Sequence, residues 1–302
     1  MAAPRSKPAT GLLTRGTIPT SLVDSVLASL TSPNTRESYA KGIADVYAFA
    51  AGRKVTLGLL YDWRLAMSEK LSAATVNVRL TAVRKLVREA KRVGFIDDRE
   101  ANELLEIEGL PFRGTRVGNW LTLPQLRRLL SVPSRKDLRG LRNGCILSVL
   151  AGCALRLDEL AMLEVENIQQ RDGRWVIANL MGKGGRVRTV AVPAWAKQAI
   201  DAWTKAAKIT EGRLIRQLTL KPEGLSTFAI REIVQKAAEK IGAKNFGPHD
   251  LRRTCARLCR EAGGDIEQIQ AMLGHASINT TQRYLGTVQD LRNAVNDRIP
   301  LN

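Results

Sequence analysis

The chain is predicted to be mainly α-helical with one small antiparallel β-sheet, divided into two domains. Three observations carry this. Apolar residues recur at helical spacing over most of the 302 residues. One run, 173–193, reads instead as strand, glycine-rich turn, strand. The stretch EGLPFRGTRVGNW at 108–120 interrupts the periodicity with glycine and proline. It marks a linker at 109–119 between a helical domain at 18–108 and a larger domain at 120–302.

The elements follow in order. Residues 1–17 carry basic side chains without a continuous apolar segment after them, so they read as a flexible tail rather than a secretory leader. In 35–54, Tyr39, Ile43, Val46, Tyr47 and Ala50 form one helical face. In 72–94, Val76, Leu80, Val83, Val87 and Ala90 form a clearer one, with Ser72 as cap and Gly94 as stop. Arg79, Arg84, Lys85, Arg88, Lys91 and Arg92 occupy the other faces of that helix, a pattern that suits solvent and phosphates equally. The second domain opens on LTLPQLRRLL, where Thr122 caps, Pro124 fits the first turn and Gln125 completes a capping box. Val187, Val190 and Val192 give the 173–193 region a partly alternating second strand, and GKGG supplies its turn. Short glycine-separated helices follow, and VQDLRNAVNDRI closes the chain as an amphipathic helix.

Charge narrows the partner. There are 47 Lys and Arg against 29 Asp and Glu, a net charge of +18 and a pI near 10.3. Residues 1–116 hold 18 basic and 12 acidic groups, and 117–302 hold 29 and 17, so the excess is spread over both halves. A positive field over a whole surface points to nucleic acid first. Anionic membrane is the rival, but no basic amphipathic helix with Trp or Phe on its apolar face is present, and no run nears the ~20 apolar residues of a spanning helix. Cys145, Cys153, Cys255 and Cys259 lack CxxC pairing or zinc-site spacing and read as small buried thiols. A reduced, cytoplasmic protein is the expectation.

Four separated pieces carry the chemistry. AGCALRLDELAML places Arg156 at the start of a helix. MGKGGR places Lys183 at a hairpin tip. PHDLRRT places His249 and Arg252 three apart, on one helical face. LGHASINTTQRYL places His275 nine residues before Tyr284. Taken singly, each has a bland reading: a capping histidine, a core tyrosine, a turn, a surface arginine. Jointly the set includes both of the chain's histidines.

These motifs resemble those of the tyrosine recombinases, the phage-integrase and Xer-type site-specific recombinase family. That family opens its set with an arginine followed three residues later by an acid, as Arg156 and Glu159 do. A hairpin lysine, H-x-L-R-R-T, and L-G-H followed by T-x-x-Y then come in the same order here. The match is strong over roughly 120–290. It is looser in the N-terminal region, where FIDDREANEL lacks the Asn-Pro often found at that point.

The resemblance implies a two-domain, C-shaped clamp on duplex DNA, with a core-binding helical domain and a catalytic domain. It also implies a strand transferase that cuts and rejoins DNA through a 3′-phosphotyrosyl link. Tyr284 would be the nucleophile, Lys183 the general acid, and Arg156 and Arg252 the phosphate clamp. His249 would assist proton transfer and His275 would bind a phosphate oxygen. The residue types suit the task, because guanidinium groups bind two phosphate oxygens while staying charged, and a tyrosine hydroxyl of pKa ~10 needs cations around it to react. Neither cofactor, metal nor ATP is expected, and no membrane. The expected assembly is a homotetramer on paired sites, largely monomeric when free, with the last helix docking on a neighbouring protomer. The alternatives are a type IB topoisomerase-like relaxing enzyme, a non-catalytic DNA-binding accessory protein, and a metal-dependent nuclease or transposase.

Overall fold

Side-chain caps set the helices of the N-terminal region. Ser32, Thr56, Ser72 and Asp97 each accept a hydrogen bond from the amide three residues on, which satisfies one of the donors a helix start leaves unpaired. The computed structural model describes residues 19–111, 119–182, 185, 187–219, 223–275, 277, 281, 282 and 285. The chain divides into two units, 1–115 and 116–302.

The first unit contains α1 (Thr20–Ala28), α2 (Pro33–Ala50), α3 (Leu57–Ser68), α4 (Ala73–Arg92) and α5 (Asp98–Leu105). All five apolar positions predicted for the 72–94 helix are buried in α4, joined by Ala82 and Leu86. Leu80 is wholly buried, and a cavity in its place would cost about 2–5 kcal/mol. Gly42 of α2 lies so close to α4 that a Cβ there would sit 3.0 Å from the Arg79 Cα.

The basic residues of α4 are less available than their number suggests. Arg79 pairs with Asp45, Lys91 with Asp98 and Arg92 with Glu89, while Arg84 donates to the Ile107 carbonyl. The sequence leaves solvent and phosphate equally open for this helix. The structure adds a third use, because four of the six tie the unit together.

The second unit contains α6 (Leu123–Leu130), α7 (Leu138–Cys153), α8 (Leu157–Met162), three strands, α9 (Ala194–Ala207), α10 (Thr227–Lys240), α11 (Pro248–Glu261) and α12 (Ile266–Leu273). Gln125 accepts from the Thr122 amide at 2.9 Å, as the predicted capping box requires. The middle of α7, Cys145 to Leu150, is buried all round. It shares its core with Ile177 and Val190 of the sheet, Ile200 and Trp203 of α9, and Ile230 and Val234 of α10. Cys145, Cys153 and Cys255 are buried and Cys259 is half-buried, all as free thiols.

The sheet has three antiparallel strands in the order β1 (Ile168–Arg171), β2 (Arg174–Met181), β3 (Val187–Ala191). Sequence patterning predicts only β2 and β3. The missed strand, β1, is joined to β2 by Asp172-Gly173, both at positive φ, an Asp-Gly hairpin signal that was legible. Between β2 and β3 the register shifts, from Ile177 opposite Val190 to Leu180 opposite Arg188. The extra residue, with Asn179 at φ 56°, forms a bulge. It brings both Ile177 and Leu180 to the buried face, opposite Val190 and Arg188 of β3.

Among the described residues no helix is long and apolar enough to cross a membrane. The 1–17 tail, residues 112–118 of the linker and the VQDLRNAVNDRI helix lie outside the described residues.

Candidate active site

The C-terminal end of α12 organises the site. A helix leaves its last carbonyls without intrahelical donors, and they form the negative end of its dipole. Gly274 ends α12 in the left-handed conformation, φ 61°, where glycine carries no Cβ penalty. Its amide donates to Ala271 and the His275 amide donates to Gln270.

Three arginines converge on the carbonyls this leaves. Arg252 donates to Leu273 and, at 2.5 Å, to Ala154. Arg156 reaches Leu273 and Gly274 at 3.4 and 3.5 Å. Arg188 donates through Nε to Met272 at 3.0 Å. Ala154 itself sits at φ 50° at the end of α7, a backbone conformation unusual for a residue with a Cβ. It turns its carbonyl toward Arg252. A Cβ at Gly274 would meet the Arg188 Cδ at 3.0 Å, so this glycine serves the close approach as well as the turn.

Arg156 caps α8, and Glu159 one turn later accepts its amide at 2.7 Å and its guanidinium at 2.8 Å. Glu159 also takes two bonds from Arg188, both 2.8 Å. Burial pushes this carboxyl up, but the hydrogen bonds from Arg188 and Arg156 outweigh it and leave a pKa of about 2. Exposure separates the phosphate-clamp candidates. The Arg156 side chain is 32 % exposed, whereas Arg252 is 2 % exposed.

Both histidines face this positive cluster. Burial, then the charges of Arg252 and Arg156, lower His275 to about 4. Partial desolvation, then Arg253 and Arg252, hold His249 below the ordinary histidine value, although its side chain keeps solvent access at the first turn of α11. His275 Nδ1 lies 3.0 Å from the hydroxyl of Thr281, which is fully buried. A neutral ring whose Nδ1 accepts from Thr281 presents an Nε2–H donor. A cavity of about 220 Å³ adjoins the cluster, with Arg188, Gly274 and His275 in its wall.

The residues expected from sequence therefore divide. Arg156, Arg252, His249 and His275 are brought together around one helix end. Lys183 and Tyr284 lie outside the described residues, but both flanks of Tyr284 are anchored: Thr281 binds His275, and Leu285 packs on the cluster containing Cys255, Ile269 and Leu273.

The sequence profile of the Phage integrase family matches residues 119–289, more than half of the chain and the whole of this cluster. The chain belongs to the Phage integrase family. The protein is a site-specific tyrosine recombinase. It is 35% identical over 236 residues to the tyrosine recombinase XerD of Mycobacterium leprae, covering 74% of this chain and 72% of that one. It is 29% identical over 262 residues to the tyrosine recombinase XerC of Pelobacter propionicus, covering 84% of each. Its fold is similar to the XerH recombinase in a post-cleavage complex with a palindromic difH substrate, at a TM-score of 0.71 and 20% identity over 82% of this chain and 75% of that one. It is also similar to the Tn1549 transposon integrase in complex with transposon right-end DNA, at 0.70 and 18% over 88% and 95%.

Two parts of the candidate site escape the sequence reading. Arg188 is not among the residues the motifs single out, and its place between Val187 and Val190 on the second predicted strand is the one available signal. The ring of α12 carbonyls has no side-chain signature at all. In the N-terminal unit, a groove of about 320 Å³ is lined by Asn34, Thr35, Ser38, Tyr39, Val78 and Thr81.

Proposed function

We propose that this recombinase cleaves and rejoins duplex DNA through a 3′-phosphotyrosyl link at Tyr284, without metal or ATP. The Tyr284 oxygen attacks phosphorus, the bond from phosphorus to the 5′-oxygen breaks, and Lys183 protonates that leaving oxygen. His249 assists the transfer of the tyrosine proton. Arg156 and Arg252 neutralise the charge that builds on the non-bridging oxygens, and His275 donates to one of them. The reverse attack by a 5′-hydroxyl expels the tyrosine, so the ester conserves the bond energy and religation needs no ATP.

One observation carries this reading: two arginines and two histidines converge on a single helix end, and the chain on both sides of Tyr284 is anchored to that same region. The other three tyrosines, Tyr39, Tyr47 and Tyr61, all belong to the first unit. Guanidinium groups supply the charge neutralisation that metal ions give in carboxylate nucleases.

The partner is double-stranded DNA. The uncharged hydrogen-bonding lining of the Asn34–Thr81 groove suits base edges, whereas the basic residues suit phosphates. The assembly is a homotetramer on paired sites that is largely monomeric when free, through head-to-tail docking of the C-terminal segment. Truncation of residues 287–302 is expected to preserve half-site binding and abolish the synapse, measured by native mass spectrometry.

The chemistry is tested with a nicked suicide duplex in EDTA. A protein–DNA adduct surviving SDS is expected from the intact protein, and none from Tyr284→Phe, which still binds. Metal-reversible loss of cleavage in EDTA, or an undiminished adduct in Tyr284→Phe, would reject the mechanism.

A further inference from the structure

The carboxylate of Glu159 is saturated. It accepts four hydrogen bonds, two per oxygen: Arg188 and the Arg156 guanidinium on Oε1, Arg188 and the Arg156 amide on Oε2. A carboxylate offers about four lone-pair sites. Arg188 takes two of them as a parallel fork, which is the strongest arrangement an arginine makes with a carboxylate. That leaves the Arg156 side chain a single bond to Glu159.

The two arginines thus compete for one buried anion. A lone buried carboxylate beside a single arginine would take both of its guanidinium edges, because an unpaired buried charge is costly. Arg156 is the least buried of the three, so it is the one whose orientation such capture would change. Arg188 is in turn fixed at three points: Glu159, the Met272 carbonyl, and the Gly274 backbone against its stem. Alternation along β3 puts it on the same face as the buried Val190.

We propose that Arg188 is a positioning residue that occupies Glu159 and so holds Arg156 turned toward the scissile phosphate. The proposal rests on the reading of Arg156 as a phosphate ligand. Its role is to prevent an internal ion pair from forming, rather than to touch DNA.

This makes an expectation that a packing role does not. In Arg188→Gln, Glu159 captures Arg156, and adduct formation at saturating DNA slows by about 100-fold, the scale of an ångström-sized misplacement, while duplex binding stays unchanged. Adding Glu159→Gln to that variant removes the capturing charge, and the carbonyl of the substituted side chain can still accept the Arg156 amide. The double variant is therefore faster than Arg188→Gln, by about tenfold, since deleting both members of a buried ion pair is often nearly neutral. Arg188→Lys keeps the buried charge without the fork and falls between wild type and Arg188→Gln.

The experiment measures single-turnover adduct formation and binding with one probe, a nicked duplex selected from a randomised pool by the intact protein. A double variant faster than Arg188→Gln supports the proposal. Arg188→Gln reacting at the wild-type rate, or a double variant as slow as or slower than the single one, overturns it. If Arg188→Gln does not fold, the same comparison is made between Arg188→Met and Arg188→Met with Glu159→Gln. Tyr284→Phe runs alongside: an adduct that persists there rejects the nucleophile assignment, whatever the Arg188 variants do.

Discussion

Two clusters of basic side chains, one on and beside α4 and one at the end of α12, are held differently. In the first cluster most partners are carboxylates: Asp45 for Arg79, Glu100 for Lys54, Asp98 for Lys91 and Glu89 for Arg92. Each such pair cancels its own charge. At the end of α12, Arg252, Arg156 and Arg188 lean on the carbonyls of Leu273, Gly274 and Met272, and two of them share the carboxylate of Glu159. A carbonyl orients a guanidinium without neutralising it. The number of cations therefore does not locate a phosphate site; what they are bonded to does.

The largest expected effect follows from Arg252. On its proposed role as a phosphate ligand, replacing the charged donor in Arg252→Gln is expected to slow cleavage by about 10²–10³-fold. It also leaves the Ala154 and Leu273 carbonyls short of a donor, a cost of about 1–3 kcal/mol for each buried group left unpaired. Single-turnover cleavage and urea unfolding would measure the two. An arginine here that altered stability alone would mean its charge is already neutralised, as in the first unit.

A second effect separates the units by pH. Both histidines lie in residues 116–302, and both have folded-state pKa values lowered from 6.5, His275 to about 4. Between these values the unfolded chain binds more protons, so stability is present above pH 6.5 and is lost as pH falls toward 4. Glu159, at about 2, adds a loss only below 4.5. Glu89 of the first unit behaves like Glu159 in direction, also at about 2. From pH 6.5 to 5, hydrogen-exchange protection, taken relative to the intrinsic rate at each pH, is therefore expected to fall in α11 and α12 but not in α2 and α4, and His275→Asn should flatten the response. An equal loss of protection in both units would contradict the assignment.

How much of this was legible in the sequence depends on range. The caps at Ser72 and Thr122, the buried stripe of α4 and the order of the Arg, His-x-x-Arg and Leu-Gly-His motifs are local patterns, and they were readable. The bonds that build the site are not local. Arg188 meets Met272 across 84 positions, Arg252 meets Ala154 across 98, and Arg156 meets Leu273 across 117. No periodicity connects such residues, and a carbonyl acceptor leaves no trace in residue type. The same holds for α4, where Arg79 and Arg88 look alike until Asp45 is seen beside one of them.

That pair gives the smallest effect. Arg88 is exposed on α4, and Arg88→Ala is expected to reduce the salt slope of DNA binding by about 1. Arg79→Ala is expected to leave the slope intact and lower stability by about 1 kcal/mol or less. Binding titrations across salt concentrations decide it, and equal slopes for the two variants would remove the distinction drawn for this unit.

The central claim, that the cluster at the end of α12 serves Tyr284, is tested most directly by locating the protein–DNA bond. The trapped adduct would be digested with nuclease and trypsin and its peptide identified by mass spectrometry. The nucleotide is expected on the peptide from Tyr284 to Arg292. A nucleotide on a peptide containing Tyr39, Tyr47 or Tyr61 would contradict the account.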